Sequence, residues 1–205
     1  NYPTNKSSIN GFIGKIGKLS GLLSENNNVY MMIVPDKNYY LESDDFLKID
    51  YDYIYKETNK LGFRNIELRD VLELDDYYET DTHWRQEKLD KVILEMSKVM
   101  NFSYQNILYE EKSFDNFYGV YYGESAVDRN PEKLVYLDSD IFAGVSVKYL
   151  ENSELSTIYN QDKLDGLDAY DVYLDGASSF IEITNDMSSS DKELVIFRDS
   201  FGSSL

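Results

Sequence analysis

Residues 194–202 read Leu-Val-Ile-Phe-Arg-Asp-Ser-Phe-Gly, and this stretch points to the fold class. Four consecutive apolar residues describe a strand buried on both faces, as the strands of an α/β sheet are. A polar turn follows at its carboxyl end, the edge where ligands bind in open α/β sheets. Ser200 stands in that turn, and Gly202 permits a tight entry into a helix. A serine so placed has an exposed hydroxyl and nearby backbone N–H groups, the parts of a nucleophile and an oxyanion hole. The plainer alternative is an N-cap serine opening a final helix.

Outward from this stretch, the pattern alternates helix and strand. Ile9, Phe12, Ile13, Ile16, Leu19 and Leu23 fall at helical spacing. Residues 28–34 (NVYMMIV) form a short apolar run stopped by Pro35, which reads as a buried strand. Residues 44–61 suggest a second amphipathic helix, with Ser43 or Asp44 as cap and Gly62 as stop. Residues 65–68 suit another short strand. Residues 83–100 form the strongest helical pattern, with Leu89, Val92, Ile93, Met96 and Val99 as its stripe and Asp81 or Thr82 at its start. Residues 102–158 break into short mixed runs, among them 117–122, 134–136 and 141–147. Three more strands are expected at 170–174, 179–183 and 194–197. The expected fold is α/β: a single domain over residues 1–205, with a β-rich insertion in its second half.

His83 is the only histidine of the chain, within Tyr78-Glu79-Thr80-Asp81-Thr82-His83-Trp84. A catalytic imidazole needs a carboxylate to hold its tautomer and to stabilise the imidazolium that forms. In an extended segment residues i and i+2 point the same way, so Asp81 and His83 can meet without outside help. Taken alone, Asp81 reads as an ordinary helix cap.

The two segments together resemble the DHHW family and its relatives among the alginate O-acetylation proteins. Their domain is a permuted SGNH hydrolase, a three-layer α/β sandwich. In that family T-D-x-H-W opens a helix and D-S-[FY] follows a late strand. Thr80-Asp81-Thr82-His83-Trp84 and Asp199-Ser200-Phe201 match both, in the family's order. The resemblance continues through residues 29–37 (VYMMIVPDK), 117–122 (FYGVYY) and 173–176 (YLDG) and covers most of the chain. It implies that Ser200 is the nucleophile, His83 the general base and Asp81 its orienting carboxylate. It further implies ester hydrolysis or O-acyl transfer on an acetylated extracellular polysaccharide, at the cell surface. The full-length protein would be membrane-anchored and would work with a membrane acyl-donor protein. Gly176, Arg198, Trp84 and Tyr78 are candidates for substrate or oxyanion contacts. Two departures stand out. Thr82 replaces a frequent histidine, and Arg198 stands where SGNH enzymes commonly carry glycine, which would narrow the pocket or favour an anionic sugar. Family domains continue past the nucleophile, so the resemblance implies a domain cut short after Leu205.

Composition removes other classes. The formal net charge is −18, with 38 acidic against 20 basic residues. A field of that sign repels phosphate backbones, and nucleic acid is excluded as a partner. There is no cysteine, hence no thiolate nucleophile and no Cys-based zinc site. No apolar run approaches the roughly 20 residues of a membrane span. Nineteen tyrosines suit half-buried packing and carbohydrate or protein contact surfaces. Asp171-x-Tyr173-x-Asp175-Gly176 with Glu182 has the length of a calcium loop, but Tyr173 sits at a ligand position. No metal or cofactor is expected. The rival expectation is a non-catalytic carbohydrate-binding or surface-assembly protein on the same fold.

Overall fold

The computed structural model describes residues 4–43, 45–125, 127–150 and 155–205. The backbone gathers into two units, Asn1–Leu74 with Asp90–Tyr104, and Asp75–Leu89 with Gln105–Leu205.

The described residues of the first unit include three α-helices and a parallel strand pair. Helix α1 (Lys6–Ser20) begins at Asn5, whose side chain accepts from the Ser8 N–H at 3.0 Å. Strand β1 (Tyr30–Met32) is the apolar run before Pro35. Helix α2 (Tyr51–Thr58) is capped by Asp50, which accepts from the Tyr53 N–H at 2.9 Å. The cap is therefore not Ser43, and Asp44 lies outside the described residues. A 3-10 turn, Asn59–Leu61, ends at Gly62, whose φ of 73° is the left-handed stop expected of glycine there. Strand β2 (Arg64–Ile66) pairs with β1 in parallel, Tyr30 opposite Arg64 and Met32 opposite Ile66. Helix α3 (Asp90–Met100) packs on β2, and α1 packs on α2.

The second unit is mostly antiparallel. Strand β3 (Glu110–Phe117) leads into the short helix α4 (Val120–Ser125) and then into β4 (Glu132–Asp138). Strands β3 and β4 pair with Glu110 opposite Asp138 and Phe114 opposite Leu134. The register then slips, so that Phe117 faces Glu132. A bulge of this kind bends a strand and re-aims its side chains. Strands β5 (Val145–Tyr149), β6 (Leu155–Ser156) and β7 (Ile181–Asn185) form a three-stranded sheet in the order β6-β5-β7. The core of the unit is aromatic: Tyr78, Phe117, Leu134, Tyr136, Tyr170, Val172 and Tyr173 bury one another. The Tyr173 hydroxyl donates to the Val135 carbonyl at 2.5 Å, so its polar end is satisfied inside the core.

The described residues thus form a mixed α/β protein with small sheets. Three further expectations are corrected. The helix read over residues 83–100 starts at Asp90. Residues 77–85 instead form a tight antiparallel loop, in which the Tyr78 N–H donates to the His83 carbonyl and the Arg85 N–H to the Asp76 carbonyl. The His83 carbonyl, which a helix starting there would offer to the N–H four residues on, is taken by the first of these cross-loop bonds. Residues 170–174 are not a strand: Ala169–Val172 is a 3-10 turn capped by Asp168, and only Tyr173 bridges to Tyr159. Residues 194–197 carry no strand pairing among the described residues, and Val195 and Phe197 are 76% and 79% exposed. An apolar run says that a segment suits burial on both faces. It does not supply the neighbouring strands that burial requires.

Candidate active site

The loop between Tyr77 and Arg85 brings Asp81 and His83 together within one turn of chain. Both are buried, Asp81 completely. Asp81 Oδ1 accepts the backbone N–H of His83 at 2.9 Å and lies 2.6 Å from His83 Nδ1. Its other oxygen, Oδ2, accepts the Val120 N–H at 3.0 Å. Burial alone would raise the Asp81 carboxyl. The hydrogen bonds from the His83 ring, the His83 N–H and the Val120 N–H outweigh it and hold the group below the ordinary carboxylate range. An ionised carboxylate only accepts, so Nδ1 carries the proton and donates to Asp81. In the neutral imidazole the lone pair of Nε2 then faces outward.

Ser200 lies on that side, its Oγ 2.7 Å from His83 Nε2. With Nε2 unprotonated, the serine hydroxyl is the donor. Ser200 opens a 3-10 turn, Ser200–Ser203, and the turn's cap is Asp199, which accepts the Phe201 N–H at 3.1 Å. Ser200 is therefore not the cap, and its exposed side chain is left to the imidazole. Two rings hold the imidazole. Tyr170 stacks on one face with centroids 4.0 Å apart, and Phe201 tilts against it at 5.0 Å.

Beneath them, Trp84 donates its indole N–H to the Phe201 carbonyl at 3.1 Å and to Ser204 Oγ at 3.0 Å. Ser204 Oγ also lies 2.7 Å from the Tyr170 hydroxyl. Gln86 Nε2 donates to the Ser204 carbonyl at 3.0 Å. The turn that carries Ser200 is thus tied to the segment that carries His83 through residues following each of them.

The remaining sequence candidates sit around this centre in different roles. Trp84 and Tyr78 are fully buried, so neither offers a face to a substrate, and both pack beneath the loop. Tyr78 lies under the Arg85 guanidinium at 4.5 Å and against Phe117 at 4.8 Å. Gly176 has φ 72° and donates its N–H to the Tyr173 carbonyl at 3.1 Å. That donor is committed to a turn rather than offered to an oxyanion. Arg198 folds its methylenes over Gly202 and donates from Nη1 to the Asp199 carbonyl at 3.1 Å and to Ser203 Oγ at 2.6 Å. It closes the turn that carries Ser200. Among the described residues no group of His, Asp or Glu side chains could hold a metal ion, and no helix is long and apolar enough to cross a membrane.

Sequence reasoning missed four supports. The N–H groups of Gly119, Val120 and Tyr121 donate in succession to Thr80 Oγ1, Asp81 Oδ2 and the Thr80 carbonyl at 3.1, 3.0 and 2.9 Å. Gly119 permits that approach, since a Cβ there would lie 2.3 Å from Asp81 Cβ and 2.4 Å from the Thr80 carbonyl oxygen. Tyr170 covers the imidazole, and Glu132 anchors the loop from the other side. Only the glycine inside an aromatic run, residues 117–122, carried a readable hint, because glycine there marks a close backbone approach.

No protein-family model and no curated protein matches the sequence. Solved structures do match by shape. A DHHW family protein from Eubacterium siraeum superposes with a TM-score of 0.81 at 18% identity, over 96% of this chain and 70% of that one. PatB1 from Bacillus cereus, solved with a sulfonyl adduct, superposes with a TM-score of 0.73 at 18% identity, over 99% of this chain and 74% of that one. PatB1 in a second structure gives 0.67 at the same identity. The chain therefore shares the fold of the Eubacterium siraeum DHHW family protein and of Bacillus cereus PatB1.

Proposed function

We propose that the chain is a serine-dependent acyl-ester enzyme of SGNH type, acting on an O-acylated polysaccharide at the cell surface. The observation that carries this reading is the pair of short contacts at His83, 2.6 Å from Nδ1 to Asp81 and 2.7 Å from Nε2 to an exposed Ser200. A serine hydroxyl is a poor nucleophile until a base takes its proton, and assistance of this kind contributes about 10²–10⁴-fold. In the proposed step, Ser200 Oγ attacks the acyl carbonyl as its proton passes to His83 Nε2. Asp81 stabilises the imidazolium without taking the proton.

The Phe201 and Gly202 N–H groups are already bound to Asp199. That leaves the Ser200 N–H as the main-chain group proposed to hold the oxyanion. Collapse of the tetrahedral species expels the alkoxide, which takes the proton from His83, and leaves an acyl-serine. Water or a sugar hydroxyl then attacks that ester, giving its proton to His83, which returns it to Ser200 Oγ as the second tetrahedral species collapses. In the transfer form a carbohydrate hydroxyl is the acceptor and a membrane protein supplies the acyl group; in the hydrolytic form water is the acceptor.

PatB1 has been solved with a sulfonyl adduct, which makes an aryl sulfonyl fluoride a natural probe. Intact-mass analysis should show one adduct, mapped to Ser200, absent from Ser200→Ala and strongly slowed in His83→Ala. Equal labelling of Ser200→Ala, or no labelling of the wild type, would remove the nucleophile and leave a non-catalytic binding protein on this fold.

A further inference from the structure

Glu132, the first residue of β4, accepts four hydrogen bonds. Its Oε1 takes the Glu79 N–H at 2.8 Å and Arg85 Nη2 at 2.6 Å. Its Oε2 takes the Thr80 N–H and the Thr80 hydroxyl, both at 2.6 Å. The side chain is only 11% exposed. Burial would raise its carboxyl, but the Thr80 hydroxyl, the Glu79 and Thr80 N–H groups and the Arg85 charge together hold it below the ordinary carboxylate range. It stays an acceptor on both oxygens.

What it holds is the backbone immediately before Asp81. Thr80 Oγ1 donates to Glu132 and accepts from the Gly119 N–H at 3.1 Å, and the Thr80 carbonyl accepts the Tyr121 N–H. Arg85, two residues after His83, closes the other end by donating to Glu132 and, through Nε, to the Tyr77 carbonyl at 3.2 Å. A single carboxylate thus grips the loop on both sides of the Asp81–His83 pair.

We propose that Glu132 is a positioning residue, setting the orientation of Asp81 and through it the tautomer and aim of His83. Its catalytic meaning rests on the proposed function above, but its structural claim does not. Glu132→Gln is nearly isosteric and sharply informative. Whichever way the amide turns, its NH₂ faces two donors that had shared one oxygen, so one end of the grip is lost.

Two readouts separate positioning from plain stability. Because His83 is the only histidine, the low-field imidazole N–H proton signal of the protein belongs to it alone, and it reports the Nδ1–H···Asp81 bond. The second readout is the rate of Ser200 sulfonylation. In Glu132→Gln with native circular dichroism, the low-field signal should be lost and sulfonylation should slow by about 10- to 10²-fold, as for a reacting group moved by about 1 Å. Should Glu132→Gln not fold, Thr80→Val keeps the side-chain shape, removes the hydroxyl that links Glu132 to Gly119, and should also lose the signal.

A folded Glu132→Gln, or failing that Thr80→Val, with an intact low-field signal and a wild-type labelling rate would overturn the proposal, whatever its melting temperature. If the wild type does not label at all, the enzyme reading falls. The proton signal then still decides whether Glu132 positions the pair.

Discussion

Tyr170 lies flat against His83, ring centroids 4.0 Å apart and planes within 9° of parallel. Its hydroxyl is held 2.7 Å from Ser204 Oγ, which also accepts from Trp84. The stack leaves the imidazole little freedom to rotate about its bond to Cβ, and burial pushes the Tyr170 hydroxyl pKa well above its ordinary value, keeping it protonated.

Separating ring from hydroxyl tests this arrangement. Tyr170→Phe keeps the stack and loses one hydrogen bond, at about 1 kcal/mol, with Ser200 sulfonylation close to the wild-type rate. Tyr170→Ala removes the stack, costs about 3–5 kcal/mol as for other large aromatic truncations, and should slow sulfonylation at least tenfold among molecules still folded. Urea unfolding beside a labelling time course distinguishes the two. Equal rates in both variants would show that the ring does not position His83.

Gly119 makes a second, sharper case. A Cβ added there would sit 2.3 Å from Asp81 Cβ, against backbone as well as side chain. Neither neighbour is a flexible tip that could swing away, because Thr80 and Asp81 are both tied by hydrogen bonds. Gly119→Ala should therefore cost at least the ~1–3 kcal/mol of an overpacked core and displace Asp81, with labelling slowed by about 10²-fold. Wild-type stability and labelling in Gly119→Ala would mean that residues 119–121 do not approach Asp81 so closely.

These supports explain how much of the site could be read from residues alone. Asp81 and His83 are legible because their partnership is local, two positions apart, and Ser200 because a polar turn follows an apolar run. The structure brings the three side chains into hydrogen-bond reach. Glu132 and Tyr170 are not legible, since each acts across 47 or more residues of chain to reach the loop and neither stands in a motif. The helical pattern over residues 83–100 misled for a related reason. Its stripe is correct from Leu89 onward, but the cross-loop bonds of Tyr78 and Arg85 decide where the helix can start. Residues 194–197 show the complementary limit, as hydrophobicity does not name the partner strand.

Acid should reveal the carboxylates. Asp81 and Glu132 are both held below the ordinary carboxylate range in the folded chain. A folded value below the unfolded one, about 4, means that each contributes stability above that pH and loses it as pH falls through the folded value. Gln does not titrate. The stability gap between wild type and Glu132→Gln should therefore be full at pH 7 and shrink progressively below about pH 4. Urea unfolding at several pH values measures it. A gap unchanged into strong acid would show that Glu132 is not held ionised by its four donors.

Asp81→Asn is the most discriminating change. If Asp81 were an exposed helix cap, Asn would replace it at little cost. Asp81 instead is fully buried and accepts three N–H donors, two on Oδ1 and one on Oδ2. An Asn amide has one accepting oxygen, so its NH₂ must face either the Val120 N–H or the His83 pair. With the NH₂ toward Val120, the oxygen still accepts from His83, and a buried donor clash costs about 1–3 kcal/mol. With the NH₂ toward His83, the amide donates to Nδ1, the ring proton moves to Nε2, and no lone pair faces Ser200. Either way the imidazolium loses its counter-charge. In the serine-protease template the equivalent change costs about 10⁴ in turnover. Asp81→Asn should accordingly melt lower than wild type and lose at least about 10²-fold in sulfonylation or aryl-acetate cleavage. A melting curve run beside either assay decides it. A destabilised but fully reactive Asp81→Asn would assign Asp81 to holding the loop alone and would leave His83 without an electrostatic partner.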